Sequence, residues 1–179
     1  MLDVQRGGRE AFEQLFARYR DPMWRFFRRR VADPARAEEL AQDAFVAVLQ
    51  GRERYEPRAP FRSYLFGIAY KLLQADRRKA LLRGAEPLTD QAAGAAGDVD
   101  AEISVRSALA RLPADDREIL MLREYEQLGY QEIAHLKQMP LNTVRSRLFR
   151  ARMALKALLE RPMPVEMTTS PARVTNDRG

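Results

Sequence analysis

Apolar residues recur at steps of three and four along most of the chain, a spacing that predicts α-helices. The first stripe consists of Ala11, Phe12, Leu15, Phe16 and Tyr19. Asp21-Pro22 and Asp33-Pro34 each place a capping residue before a first-turn proline, so we expect a second helix to start at the first pair and a third at the other. The pattern predicts an all-α protein.

The third predicted helix, about Pro34 to Gln50, carries a strip of acidic and polar side chains on its outer side. This acidic strip consists of Glu38, Glu39, Gln42 and Asp43. Because the surrounding segment is basic, we do not expect the strip to contact DNA. Two interpretations stay open, a solvated face and a surface that docks on another protein.

Gly51 to Pro60 contains two prolines and mixed charge, which predicts a loop. The helix expected after it mixes cations with aromatic residues: Arg62, Tyr64, Phe66, Tyr70, Lys71, Arg77, Arg78 and Lys79. Such a surface could stack on unpaired bases and contact their phosphates, as single-strand binders do. The alternative is that the aromatic side chains complete a small core and the basic end is solvated.

The segment after residue 83 is rich in Gly, Ala and acid and has no periodicity, which predicts a flexible linker over 84–102. A helix through Val105 and Leu109 is expected to stop at Pro113. Asp115 and Glu118 have the spacing of a capping box for the next helix. The tail 162–179 is polar and contains proline, and we expect it to be disordered.

A helix-turn-helix is predicted near the end of the chain. Tyr130 to Leu136 is a short amphipathic segment, and Pro140 favours a break before a longer basic helix that we expect Asn142 to cap. This order is the layout of a DNA-binding helix-turn-helix.

The longer helix has two faces of opposite character. Its predicted inward stripe is Val144, Leu148, Ala151, Leu155 and Leu158. The other face carries Asn142, Arg145, Ser146, Phe149 and Arg150. Arginines can contact guanine edges and an aromatic ring a thymine methyl group, so this face predicts major-groove recognition. Alternatively, Phe149 folds back on a neighbouring helix and the arginines are solvated.

Charge is distributed in blocks. The net charge of +6 comes from +7 over residues 1–83, −5 over 84–102, +4 over 103–161 and zero in the tail. Two basic blocks imply a polyanionic partner. The absence of cysteine excludes a disulfide, a thiolate zinc site and a cysteine nucleophile, and the single histidine, His135, is expected to be structural or on the surface. We expect no metal and no cofactor.

Neither a signal peptide nor an apolar run of membrane length is evident in the sequence. A cytoplasmic protein without direct membrane insertion is therefore expected.

Five motifs, in this order, resemble those of bacterial sigma-70 family RNA polymerase sigma factors of the small extracytoplasmic-function (ECF) group. Residues 37–45 and 61–69 are similar to motifs of region 2, and residues 112–120, 130–134 and 140–152 to motifs of region 4. The resemblance extends from about Arg9 to Leu159. It implies a transcription initiation subunit with a region 2 domain over 1–83 and a region 4 domain over 103–161.

The resemblance also implies partners. Core RNA polymerase would bind through its clamp helices, to the acidic strip, and through its flap. The acidic linker would follow the RNA exit path of the polymerase. Promoter DNA is the second partner, and an anti-sigma factor is the third, as an inhibitor of small members of this family.

Two sets of residues would contact the promoter. The minus-ten set is Arg54, Arg58, Phe61, Arg62, Ser63, Tyr64, Lys71, Arg77 and Arg78. The minus-thirty-five set is Asn142, Thr143, Arg145, Ser146, Phe149 and Arg150. Tyr64 and Lys71 stand where members often have tryptophan and asparagine, and Gln138 and Asn142 replace glycines common around the region 4 turn.

Two other classes of protein are compatible with parts of the chain. A stand-alone helix-turn-helix regulator would bind a palindrome as a dimer, but no dimerisation or ligand-binding domain is evident. An enzyme such as a nucleic-acid hydrolase would need a catalytic cluster or a phosphate loop, and the sequence shows neither, so no enzymatic activity is expected.

Overall fold

The computed structural model describes residues 1–83 and 99–160, with side chains described for 1–83 and 104–160. Over these ranges the chain forms eight α-helices, one 3₁₀ turn and no strand, in agreement with the all-α prediction. The predicted tail 162–179 and most of the predicted linker lie outside the described residues.

The first half contains four helices. They are α1 (Leu2–Gln5), α2 (Arg9–Arg28), α3 (Pro34–Gln50) and α4 (Phe61–Leu82), with the 3₁₀ turn Arg52–Arg54 before α4. Helix α3 packs between α2 and α4. It begins where predicted, because the Asp33 carboxylate accepts a 3.0 Å hydrogen bond from the backbone N–H of Ala35.

The predicted helix start at Asp21-Pro22 is wrong, since α2 continues through Pro22. A proline inside a helix removes a hydrogen-bond donor and costs about 3 kcal/mol. The residues that follow it, Met23, Phe26 and Phe27, are fully buried. Because burial of each such side chain stabilises by roughly 1.5–3 kcal/mol, packing outweighs the cost of the proline.

The second half contains α5 (Val99–Ala110), α6 (Ala114–Glu124), α7 (Tyr130–Lys137) and α8 (Leu141–Glu160). Helices α5, α6 and α7 all pack against α8. Helix α5 begins at Val99, so its first four residues lie in the segment predicted as linker.

The predicted capping box at Asp115 is wrong. Helix α6 begins at Ala114, and Pro113 is its N-cap. Asp115 instead accepts hydrogen bonds from Lys137 of α7 and Arg147 of α8, both at 3.1 Å, while Glu118 is buried. Neither carboxylate therefore caps α6: Asp115 binds residues of other helices, and Glu118 is buried.

The turn of the helix-turn-helix is formed by Gln138, which has a φ of 51° and closes α7 in the left-handed conformation. Helix α8 begins at Leu141, so Asn142 lies in its first turn instead of capping it. The backbone N–H of Thr143 donates to the carbonyl of Pro140 at 2.9 Å. Gln138 therefore adopts the left-handed conformation that glycine adopts most readily.

The two halves pack against each other through α4 and α7. Their buried apolar side chains form one contiguous cluster that includes Phe66 and Leu73 of the first half and Ile133 and Leu148 of the second. This packing places α4 against the second half of the chain.

Candidate nucleic-acid and partner interfaces

Helix α8 presents the predicted recognition face to solvent. Val144, Leu148 and Ala151 are buried, and Leu155 and Leu158 are half-buried, so the predicted inward stripe is confirmed. Thr143 is half-buried, and the other members of the minus-thirty-five set are exposed: Asn142, Arg145, Ser146, Phe149 and Arg150.

Phe149 is 67% exposed. It does not fold back onto a neighbouring helix, which removes the alternative interpretation of this side chain. Next to it, Arg145 donates to the Asn142 side-chain oxygen at 3.4 Å, and the Ser146 hydroxyl donates to the Thr143 carbonyl at 3.1 Å. The face is therefore an open arrangement of cations, hydroxyls and one ring, suited to a groove of duplex DNA.

All four residues of the acidic strip are exposed on α3. Glu39 forms an ion pair with Arg36 at 2.7 Å. Val46, which the sequence did not single out, is also exposed, and it lies one helical turn beyond Gln42 and Asp43. An apolar side chain among polar ones is typical of a protein interface.

The loop before α4 holds the aromatic part of the minus-ten set. Tyr55 is buried, and its ring packs edge-on against Tyr64 with centroids 4.8 Å apart; Phe61 packs edge-on against Tyr19 at 5.4 Å. Phe61 and Tyr64 remain half-buried, whereas Phe66 and Tyr70 are buried in the core. Phe66 and Tyr70 therefore belong to the core, as the alternative interpretation expected, and their rings cannot stack on unpaired bases.

The cations of the minus-ten set have different environments. Arg54, Arg58, Lys71 and Arg78 are exposed, and Arg58 forms an ion pair with Glu56. Arg62 is half-buried, and its Nε donates to the backbone carbonyl of Glu126 at 2.7 Å. The hydroxyl of Ser63 donates to the carboxylate of Glu132. Two of the predicted DNA contacts are therefore bonded to the second half of the chain.

Arg30 is a charged residue buried at the contact between the halves, at 4% exposure. Its Nε donates to Glu118 at 3.0 Å, and one terminal nitrogen donates to Glu126 at 3.1 Å and to the Phe26 carbonyl at 2.9 Å. Its neighbour Arg29 contacts Glu126 at 3.2 Å and lies 4.3 Å over the ring of Tyr125.

Burial lowers the pKa of Arg30, but Glu118 and Glu126 more than offset it, so the pKa of Arg30 lies above its ordinary value. Burial raises the pKa of Glu126 against the opposing effect of Arg30 and Arg29. This cluster was missed from the sequence, because three consecutive arginines, 28–30, resemble a solvated basic run and Glu118 resembled a helix cap.

The described ranges offer no group of three or more His, Asp or Glu side chains that could hold a metal ion. His135 is exposed. None of the helices described is both long and apolar enough to cross a membrane.

Comparison with known proteins identifies both halves. The family model described as Sigma-70 region 2 matches residues 15–81, and the one described as Sigma-70, region 4 matches residues 102–155. The chain is 30% identical to the RNA polymerase sigma-H factor of Pseudomonas aeruginosa over 177 residues, covering 88% of this chain and 90% of the relative. It is 32% identical to the RNA polymerase sigma factor CarQ of Myxococcus xanthus over 159 residues, covering 86% and 91%.

A solved structure has the same arrangement of helices. CnrH in complex with the cytosolic domain of CnrY superimposes with a TM-score of 0.65 at 26% sequence identity, over 88% of this chain and 92% of that one. Both family models, the curated relatives and the fold agree. The chain belongs to the extracytoplasmic-function group of the sigma-70 family of RNA polymerase sigma factors, the subunits that direct RNA polymerase to promoters.

Proposed function

We propose that the two halves divide promoter recognition between them. The first half opens and contacts the minus-ten element, and the second half contacts the minus-thirty-five element through α8. The observation that carries this proposal is the open face of α8, where Arg145, Phe149 and Arg150 project from a helix whose other side is buried.

On the α8 face, exposed arginines would form paired hydrogen bonds to guanine, and Phe149 would contact a thymine methyl group. Asn142 and Thr143, in the first turn, would bind phosphates, since a helix N-terminus favours an anion. On the first half, Arg54, Arg58, Lys71 and Arg78 are exposed and would contact the backbone of the opened strand.

The acidic strip on α3 is proposed as the docking surface for the clamp helices of core polymerase. The exposed apolar side chain of Val46 beside Gln42 and Asp43 supports docking over a merely solvated face. Because polymerase acts in the cytoplasm, we propose that the chain works there, and that the polymerase flap contacts the second half.

The structural relative CnrH was solved in complex with the cytosolic domain of CnrY, and the sigma factor RpoE of Bartonella quintana was solved in complex with the anti-sigma factor NepR. By analogy, an anti-sigma factor is proposed as an inhibitory partner of this chain. We propose no catalytic role for the chain itself: it recognises DNA, and the polymerase supplies the chemistry.

The test is transcription in vitro of sheared genomic DNA from the native organism by core polymerase with and without the chain. Sequencing of transcript 5′ ends should reveal starts that depend on the chain and share two sequence elements upstream. Absence of such starts, together with polymerase-independent binding of a palindrome by a dimer, would instead establish a stand-alone regulator.

A further inference from the structure

Helix α1 is folded back onto the first half of the chain by two consecutive glycines. Gly7 has a φ of 87°, a left-handed conformation that glycine adopts readily. A Cβ atom on Gly8 would lie 2.8 Å from the backbone oxygen of Asp3, to which the N–H of Gly8 donates at 2.9 Å. Val4 is buried in this arrangement. The turn places α1 against α2 and against the 3₁₀ turn Arg52–Arg54.

Gln5, the last residue of α1, hydrogen-bonds the backbone at the start of the loop 55–60, which connects the 3₁₀ turn to α4. Its Nε2 donates to the Tyr55 carbonyl at 2.8 Å and, over a longer 3.4 Å, to the Glu53 carbonyl. A primary amide carries two hydrogens, so one side chain can serve both acceptors. The side chain of Gln5 therefore ties α1 to this loop.

Tyr55 is held at two points. Its ring is buried and packs edge-on against Tyr64, and its carbonyl accepts the hydrogen bond from Gln5. The residues that follow, 56–60, are all exposed. Two of them are prolines, whose fixed φ limits the conformations of the segment. The position of Tyr55 therefore determines the direction in which this segment, with Arg58, leaves the core.

From these contacts we infer that Gln5 is a positioning residue for minus-ten recognition, which fixes the backbone at Tyr55 without contacting DNA itself. Through Tyr55 it sets the position of Arg54 and Arg58 against the opened strand. The inference rests on the proposed function, because it needs this loop to contact the minus-ten element. It gives a part in promoter selectivity to α1, which lies outside the residues 15–81 matched by the region 2 family model.

A fixed loop affects selectivity more than overall affinity. Cations on a loop can reach phosphates from several loop conformations, and phosphate contacts carry no sequence information directly. An unpaired base exposes its Watson–Crick edge, and hydrogen bonds to that edge require a fixed geometry. Loss of the Gln5 hydrogen bonds should therefore reduce discrimination between bases more than it reduces binding.

Gln5→Met tests the inference, because methionine has nearly the same length and removes both donor hydrogens without a change of charge. Gln14→Met makes the same change at an exposed position of α2. Each full-length variant is mixed with core polymerase and a barcoded library of one promoter, identified by 5′-end sequencing, in which the minus-ten positions are randomised. A second library has randomised minus-thirty-five positions. Sequencing of the transcripts gives the preference for each base at each position.

We expect Gln5→Met to lower the preference at one or more minus-ten positions by about two- to tenfold, the factor that one intramolecular hydrogen bond contributes. Preferences at the minus-thirty-five positions should not change. A merely structural role would lower the yield from all templates by the same factor, because templates that compete in one reaction meet the same amount of folded protein. Equal minus-ten preferences in Gln5→Met and Gln14→Met would overturn the inference.

A second measurement follows the loop in the chain without polymerase. Backbone N–H groups of residues 52–60 are bonded within that segment, and these bonds exchange when the loop opens locally. Amide hydrogen exchange, read by mass spectrometry, should be faster in this segment of Gln5→Met and unchanged over residues 34–50. Equal exchange of the segment in Gln5→Met and Gln14→Met would also overturn the inference.

Failure of the proposed function has a different signature. In that case the unmodified chain itself shows no base preference in the minus-ten library. If only the positioning role is wrong, the unmodified chain shows a preference and Gln5→Met retains it.

Discussion

Leu148 and Phe149 are consecutive residues of α8, yet Leu148 is 1% exposed and Phe149 is 67% exposed. The helix therefore passes from core to recognition face within a single residue step. Because the two positions have opposite environments, their substitutions should have opposite consequences.

Leu148→Ala should lower the free energy of unfolding by about 2–5 kcal/mol, because it leaves a cavity in the core. Phe149→Ala should change it by less than about 0.5 kcal/mol and should weaken binding to promoters identified by 5′-end sequencing. Thermal unfolding and holoenzyme binding to duplex promoter DNA measure the two effects. A large loss of stability in Phe149→Ala would contradict the assigned face.

Arg150→Ala should weaken recognition of the minus-thirty-five element by about 1–3 kcal/mol, the discrimination expected of one bidentate guanine contact. Affinity for core polymerase should not change. Arg9→Ala, an exposed arginine of α2, serves as the control for loss of one positive charge. If both variants lose the same affinity, the effect is general electrostatics and α8 contributes no specific contact at this position.

Asp43→Lys should weaken association with core polymerase, because it places a cation at the end of the acidic strip that lies nearest to Val46. The promoter preference of the complex that still forms should be unchanged. Glu13→Lys makes the same charge change at an exposed position of α2. Co-purification with core polymerase compares the two, and equal recovery would exclude the strip as the docking surface.

The contact of Asp115 with α7 and α8 should depend on pH. The hydrogen bond from Lys137, and with it Arg147, holds the pKa of the Asp115 carboxyl below its ordinary value of 3.8. The folded protein therefore binds this proton less tightly than the unfolded chain does. The stabilisation is present above pH 3.8 and is lost as pH falls through the folded-state pKa.

Asp115→Asn should accordingly lower the free energy of unfolding at pH 7 by about 0.5–1 kcal/mol, the size expected for exposed ion pairs. The difference from wild type should shrink towards zero as the carboxyl protonates in acid. Denaturant unfolding at several pH values measures it. Asp21→Asn, exposed in the other half, should show a smaller difference, and a pH-independent gap for Asp115→Asn would argue against the ion-pair explanation.

Periodicity was enough to predict the surfaces that depend on one helix alone. The stripe through Val144 and Leu148, and the exposed positions of the acidic strip, follow from helical spacing because a single helix determines its own faces. Helix ends were predicted less well. Pro22 lies inside α2 and Asp115 does not cap α6, because in both places packing between helices outweighs the local preference.

Contacts between the halves could not be predicted from the sequence. Arg30 and Glu126 are separated by 96 positions, and nothing near either residue distinguishes it from a solvated charge. Gln138 and Asn142 both replace glycines common around the region 4 turn, and only the structure shows that Gln138 adopts the left-handed conformation.

The side chain of Arg62 has two competing uses, and this affects how its mutation will be measured. In this structure it donates to the backbone carbonyl of Glu126, and under the proposed function it contacts the promoter. Arg62→Ala would remove both contacts, so one measured change in promoter affinity would include the loss of each. A single substitution there therefore cannot be equated with the energy of the DNA contact alone.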